Sequence, residues 1–292
     1  MKTREYVKPF EITNGAAFRL KDFDPAETLG VKSKERAQET LEAGIARLAK
    51  LQDKLYAQDR WGILLILQGM DAAGKDSTIK HVMSGVNPQG CQVSAFKSPS
   101  QEELQHDFLW RTSRMLPERG KIGIFNRSYY EEVLVVRVHA GLLEAQRIPQ
   151  PLLGNDLWQS RFEDINSFER YLSRNGFVVL KFFLHLSKKE QKKRFLARLE
   201  DPEKNWKFSV SDALERKHWP KYLQAYEDMI RSTSTKRAPW YVVPADHKWF
   251  ARIVVAEALI DALERLDLSF PKIDAKKRKE LKEAREALER EP

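Results

Sequence analysis

The densest run of chemistry-bearing residues lies between Gly69 and Ser77. There Gly69-Met70-Asp71-Ala72-Ala73-Gly74-Lys75 fits the G-x-x-x-x-G-K pattern of a phosphate-binding loop. Glycines let such a backbone curl until successive N–H groups converge on an anion, and the helix that follows adds its partial positive charge. On this reading Met70, Ala72 and Ala73 lend backbone to the cradle, Asp76 and Ser77 open the helix, and Lys75 reaches phosphoryl oxygens. The residue after the lysine departs from the usual form. Asp76 stands where a Ser or Thr hydroxyl would bind Mg²⁺, and Ser77 follows one step later. A metal must then lean on other oxygens. Asp71 is the first candidate, because a carboxylate among phosphates repels them unless a divalent cation lies between.

A second constellation follows the apolar run Ile122–Phe125: Asn126-Arg127-Ser128-Tyr129-Tyr130-Glu131-Glu132. Ligands of open parallel sheets sit at the carboxyl ends of strands, so these residues are expected to face the phosphate loop, in the Walker B place. Asn126 cannot supply the Asp charge usual there. Glu131 and Glu132 could bring a carboxylate to metal or substrate, although an acidic pair is also good electrostatics at a helix start. Arg127 reads as a phosphate ligand, since its planar fork suits oxyanions. A third segment, Ser187 to Lys207, is strongly basic and places Arg194 and Arg198 four apart on one helical face. A mobile lid over 187–210 that donates arginines to a transferring phosphoryl has this form.

These residues need a frame. Short apolar runs at 61–68, 93–96, 122–125, 178–185 and 240–243 read as strands buried on both faces. Helical segments are predicted between and after them, at 75–84, 101–115, 129–139, 156–175, 188–199, 220–232 and 249–266. Strands alternating with helices imply right-handed crossovers and a parallel sheet. Ahead of the sheet, Ser33 caps a predicted amphipathic helix running to Tyr56 with Leu41, Ile45, Leu48, Leu51 and Leu55 on one face. Residues 1–30 show no sustained period and are expected as an extended arm. Three regions result: an arm and helix over 1–60, a phosphate-loop domain over 61–271, and a charged tail over 272–292.

Composition narrows the chemistry. With 51 Lys and Arg against 42 Asp and Glu, the 292-residue chain carries a formal charge of +9, which attracts polyanions without saying which. Cys91 is the only cysteine, so an intrachain disulfide and a thiolate metal cluster are both excluded. Six histidines without H-E-x-x-H spacing argue against a zinc hydrolase. No run of about 18 apolar residues predicts a membrane span, and the first residues lack a secretory signal, so a cytoplasmic location is expected.

Taken together, the blocks QGMDAAGKDSTIKHV, KSPSQEELQHDFLWRTSRMLPERG, FNRSYYEEVLVVRVH, HLSKKEQKKRFLARLEDPEKNWKFS and APWYVVPADHKWFAR resemble the family-2 polyphosphate kinases, most closely those of class III. The resemblance covers Trp61 to about Pro271. It implies an α/β P-loop kinase fold in three layers, α/β/α, with a parallel five-stranded sheet and a helical lid. It implies a catalytic set of Asp71, Lys75, Arg127, Arg194 and Arg198, and places Lys80 and Lys97 near the phosphate chain. Arg111, Asn126, Glu131 and Glu132 fall on the nucleotide side, with Asp71 and Glu132 as metal ligands; Asn126 is usual for class III, whereas Asp is more frequent at the place of Glu132. Mg²⁺, with Mn²⁺ as an alternative, is the implied cofactor. Inorganic polyphosphate as donor and AMP and ADP as acceptors rest on the resemblance alone. Neither a membrane nor a specific nucleic-acid partner is expected, and homo-oligomerisation stays open. The rival readings are an ATP-dependent nucleotide kinase of the same fold and a polyanion-binding P-loop protein. Against the latter, no RNP, zinc-finger or glycine-arginine motif is present.

Overall fold

The computed structural model describes residues 3–31 and 33–291, without the side chains of Thr3 and Lys207. Met1, Lys2 and Lys32 of the expected 1–60 region and Pro292 of the tail lie outside the described residues, as does the Lys207 side chain of the basic segment. In chain order the elements are α1 (Thr3–Val7), β1 (Glu11–Ile12), α2 (Lys34–Gln58), β2 (Gly62–Gln68), α3 (Lys75–Val82), β3 (Cys91–Ala95), α4 (Trp110–Ser113), β4 (Ile122–Asn126), α5 (Val135–Val138), α6 (Leu157–Arg174), β5 (Phe177–His185), α7 (Lys188–Glu200), α8 (Val210–Glu215), α9 (Trp219–Thr233), β6 (Trp240–Pro244), α10 (Lys248–Glu264) and α11 (Ala275–Leu288). No helix among the described residues is long and apolar enough to cross a membrane.

Strand β2 shows why the chain layers as it does. All seven of its residues are buried, and its side chains alternate between two cores. Ile63, Leu65 and Leu67 join α2 and α10 on one face, while Leu64 and Ile66 join α6 and α9 on the other. The order β1-β6-β5-β2-β4-β3 puts β2 at the centre with parallel neighbours on both sides, in the register Leu67↔Asn126 and Leu67↔Phe182. The phosphate loop, the 126–132 turn and the approach to α7 therefore leave the sheet at the same end, where the crevice of an open parallel sheet lies.

The five anticipated strands are present and mutually parallel. A sixth, β1, was not anticipated. It pairs antiparallel on the β6 edge through Glu11↔Tyr241 and Ile12↔Trp240. The N-terminal arm is correspondingly no extended wrap: Tyr6, Val7 and Phe10 are buried in the α10 core, and Phe10 meets Phe250 edge to face at 5.9 Å. Two residues of strand give no period to read. The helix expected over 101–115 is instead a 3₁₀ turn (Glu103–Gln105) and the single turn α4, and that over 129–139 is a 3₁₀ turn (Tyr129–Val133) followed by α5. In the second case Tyr129 and Tyr130 are committed to side-chain hydrogen bonds in the core. Ser33 caps α2 as expected, accepting from Arg36 N at 3.2 Å, and the tail is an exposed helix held by its own i,i+3 and i,i+4 ion pairs.

Candidate active site

The phosphate loop bridges β2 and α3 with three positive-φ positions, the first of them Gly69 at +157°. Gly74, at the cap of α3, has φ +104°, and a Cβ there would sit 3.3 Å from Ser77 Oγ. That conformation is glycine's. Ala72, with φ +63°, is a non-glycine residue held in the left-handed region, as strained residues at functional sites often are. Lys75 is buried and donates from Nζ to Gly69 O at 2.6 Å, folding back over the loop's own carbonyls. Burial pushes its pKa down and the Arg127 charge adds to the effect, while Asp71, Glu131 and Asp76 oppose it.

Arg127 is the site's second non-glycine residue in a left-handed conformation, at φ +64°. The turn aims its guanidinium at the loop, where Nη2 meets Asp71 Oδ1 at 2.9 Å and Nη1 lies 3.9 Å from Glu131 Oε2. Burial opposes its charge, but Glu131 and Asp71 outweigh burial and raise its pKa. Glu131 shows the reverse balance: burial lifts its carboxyl above the ordinary range against Arg127 and Lys75. Gln68, at the end of β2, reaches Glu131 Oε1 at 2.9 Å with its amide turned to satisfy both of its ends. Asn126 Nδ2 donates to Asp76 Oδ1 at 2.6 Å, joining the two residues that depart from the usual motifs.

The expected metal pair is not assembled. Glu132 is turned away from Asp71: its Oε2 accepts from Arg161 Nη1 at 3.0 Å and Gln146 Nε2 at 2.6 Å. The carboxylate that shares Arg127 with Asp71 is Glu131. No group of three or more His, Cys, Asp or Glu side chains among the described residues is placed to hold a metal ion. Asp71, partly exposed with Glu131 nearby, instead suits a hard cation that draws most of its ligands from phosphate oxygens and water, as Mg²⁺ does.

Glu132 and Arg161 belong to the wall of a cavity of about 390 Å³, also lined by Glu103, Phe108, Arg111 and Gln146. Arg161 lies 5.0 Å from the Phe108 ring centroid, and Arg111 donates to Lys97 O at 2.8 Å. The Lys97 side chain is exposed, as is Lys80 on the last turn of α3. Arg111 is thus on the wall of this cavity, which Glu132, next in sequence to Glu131, also lines.

The basic segment is helical as expected, but its two arginines differ. All five N–H groups of buried Arg194 are engaged: Nε with Glu190 at 2.9 Å, Nη1 with Ala72 O and Ala73 O at 2.9 and 3.1 Å, and Nη2 with Ala245 O and Asp246 O at 2.6 and 3.0 Å. Arg194 is therefore a strut between the phosphate loop and the start of α10, with no donor left for a phosphoryl group in this conformation. Arg198, one turn on, is half-buried and lies 5.8 Å from the Phe195 ring centroid.

Sequence reasoning did not single out Gln191, which donates to Asp71 O at 3.0 Å, or the buried support beneath the 126–132 turn. There Tyr129 and Tyr130 both donate to Glu169 Oε1, at 2.9 and 2.7 Å, and Lys181 Nζ meets Glu169 Oε2 at 2.6 Å. Gln191 was findable, standing three residues before Arg194 on the same face. Lys181, inside the apolar run of β5, carried a signal only as a charge out of place.

A model of the family described as Polyphosphate kinase 2 matches residues 31–271. The chain is 50% identical to an ADP-polyphosphate phosphotransferase of Rhodopseudomonas palustris, over 97% of this chain and 98% of that one. It is 44% identical to an AMP/ADP-polyphosphate phosphotransferase of Meiothermus ruber, over 91% and 96%. Among solved structures, polyphosphate kinase 2 from Arthrobacter aurescens TC1 superposes with a TM-score of 0.85 at 43% identity, covering 93% of this chain and 95% of that one.

Proposed function

Because the chain belongs to the polyphosphate kinase 2 family and is thereby a phosphotransferase, we propose that it transfers phosphoryl groups from inorganic polyphosphate to both AMP and ADP. The observation that carries the reading is the meeting of Arg127 with Asp71 at 2.9 Å over a phosphate loop whose lysine is already folded inward. The relatives' names divide on the acceptor, one naming ADP and the other AMP and ADP.

In this reading the loop's backbone N–H groups and the first turn of α3 hold the phosphates around the transferred group. Lys75 leaves its loop carbonyls for a phosphoryl oxygen, and Arg127 orients both Asp71 and the incoming nucleotide phosphate. Asp71 and Glu131 would hold Mg²⁺, which when bound supplies charge neutralisation between the phosphates. Attack is in line: the acceptor's terminal phosphate oxygen forms a new P–O bond as the P–O bond to the rest of the polyphosphate breaks. The shortened chain leaves as the anion, so no enzyme-bound phosphate is needed. The cavity between Phe108, Arg111 and Arg161 takes the nucleoside, where an apolar ring and buried polar groups can grip a base. Lys80 and Lys97 are exposed cations available to the phosphate chain.

The test is product analysis with purified protein, Mg²⁺, polyphosphate and either AMP or ADP. Formation of ADP and then ATP from AMP is expected. If AMP stays untouched while ADP becomes ATP, the dual acceptor range is wrong; if ATP serves as donor and polyphosphate does not, the donor is wrong.

A further inference from the structure

We propose that Gln191 is a positioning residue for the phosphate loop, and that Arg216, on the 3₁₀ turn that leads into α9, sets it in place. The role rests on the loop being the cradle of the transferred phosphates, as proposed above, and holds for either acceptor. Three successive loop carbonyls face α7. Gln191 Nε2 donates to Asp71 O at 3.0 Å, and Arg194 Nη1 donates to Ala72 O and Ala73 O at 2.9 and 3.1 Å. Gln191 and Arg194 stand three apart and share one face of α7. In a trans peptide the carbonyl and the next residue's N–H point opposite ways. Carbonyls turned to α7 therefore aim the N–H groups of Ala72, Ala73 and Gly74 away from it. Ala73 N donates back to Met70 O at 3.0 Å, whereas the N–H groups of Ala72 and Gly74 have no partner among the described residues. Those two are left for an anion seated on the loop.

Gln191 can hold the Asp71–Ala72 peptide only if its amide nitrogen, and not its oxygen, meets the loop. Arg216 decides which end that is. A guanidinium has donors and no acceptor, so Arg216 Nη1, 2.6 Å from Gln191 Oε1, fixes the oxygen on its own side and turns Nε2 to Asp71 O. Gln191 is 1% exposed, so bulk water cannot replace either contact. Both Arg216 Nη atoms also reach Lys188 O, at 3.2 Å each, which seats the end of the 201–216 stretch on the first turn of α7. Ala72, directly after the held peptide, sits at φ +63°, a conformation that persists only where its surroundings enforce it. The seating of residues 201–216 on α7 and the direction of the Ala72 N–H are thereby coupled through one buried amide.

Gln191→Glu separates positioning from anchoring. It keeps, and charges, the tie to Arg216 but sets an acceptor against Asp71 O. With polyphosphate and ADP as substrates, kcat should fall about tenfold, less than the loss of about 10² to 10³ typical of a donor that touches the reacting group. KM for ADP should stay unchanged, since the nucleoside contacts are untouched. Gln191→Met, which loses both ends of the amide, should fall as far. Arg216→Met should lower kcat in the same direction, whereas Arg216→Lys, still able to donate to Gln191 Oε1, should retain most of it. The double variant Gln191→Met with Arg216→Met should be no slower than Gln191→Met alone, because Arg216 acts through Gln191. Wild-type kcat in Gln191→Glu, or losses that multiply in the double variant, would overturn the relay. Circular dichroism and melting temperature accompany each variant; if Gln191→Met does not fold, Gln191→Glu and the two Arg216 variants carry the test. Were the wild type to use ATP and no polyphosphate, the donor assignment would be at fault, and the same variants compared with ATP as donor would test the relay.

Discussion

Asn126 and Asp76 meet at 2.6 Å, Asn126 donating from Nδ2 to Asp76 Oδ1. In the usual arrangement a neutral hydroxyl follows the loop lysine and a carboxylate ends the second strand. Here the carboxylate follows the lysine and the neutral amide ends the strand. The two departures are thus one exchange of roles across the β2–β4 crevice, and the pair keeps a single negative charge.

A double-mutant cycle tests that exchange. Asn126→Asp alone sets two carboxylates against each other and should cost about 10² in kcat/KM, in the range seen when one preorganised polar group is removed from an active site. Asp76→Thr alone should cost less, because it leaves an amide facing a hydroxyl. The double variant should recover at least tenfold over Asn126→Asp, a coupling of about 1.4 kcal/mol or more. Additive effects would show that the two residues act separately.

Lys75→Ala and Asp71→Asn should each lower kcat by about 10² to 10³ with little change in the circular dichroism spectrum or melting temperature. Both residues lie on the loop, outside the two apolar cores. Rates within a few fold of wild type would remove the residue concerned from the site.

The frame of this site was legible because its determinants are local or periodic. The five strand runs, of which β3 at the sheet edge is not buried as expected because it has a strand neighbour on one side only, the Ser33 cap and the glycine-lysine loop each follow from a few adjacent residues. Pairings across the fold were not. Nothing near Glu132 indicates that Arg161 and Gln146 would claim it rather than Asp71, because those partners arrive on the cavity wall from α6 and from the turn before it. Arg194 and Arg198 look alike in a helical repeat, and only the approach of α7 to the loop carbonyls separates them. Lys181 could be noticed but not explained until Glu169, twelve residues earlier on α6, closed its ion pair.

That separation gives opposite forecasts for the two arginines. Arg194→Lys gives up several buried hydrogen bonds to carbonyls and should destabilise the fold by on the order of 2–4 kcal/mol, read as a lower denaturation midpoint. Arg198→Lys should leave stability unchanged and, if Arg198 meets the transferring phosphoryl on closure, lower kcat more than it raises KM, because an ammonium keeps charge but loses the bidentate fork. A stable Arg194→Lys with a large kcat defect would return Arg194 to the role of a phosphoryl ligand.

His185 ends β5 one step before the segment that starts α7, and its Nδ1 is buried without a partner among the described residues. Burial lowers its pKa from the usual 6.5 to about 4, against the opposing pull of Asp246, a backbone hydrogen bond with Phe23, and Asp24. The unfolded chain therefore takes up a proton on this ring near pH 6.5, while the folded chain resists until about pH 4. The neutral ring's contribution to stability is complete above the unfolded value and is lost as pH falls between the two, by up to about 3 kcal/mol. Because Asp246 Oδ1 also accepts from Ser187 N at 2.8 Å, a charged His185 would disturb the root of α7 first. Unfolding free energies of wild type and His185→Gln, measured from pH 7 to pH 4.5, should converge as the pH falls, since carboxylate titration is common to both chains. A constant gap between the two curves would show that His185 does not titrate across this window and that some other group sets the acid limit.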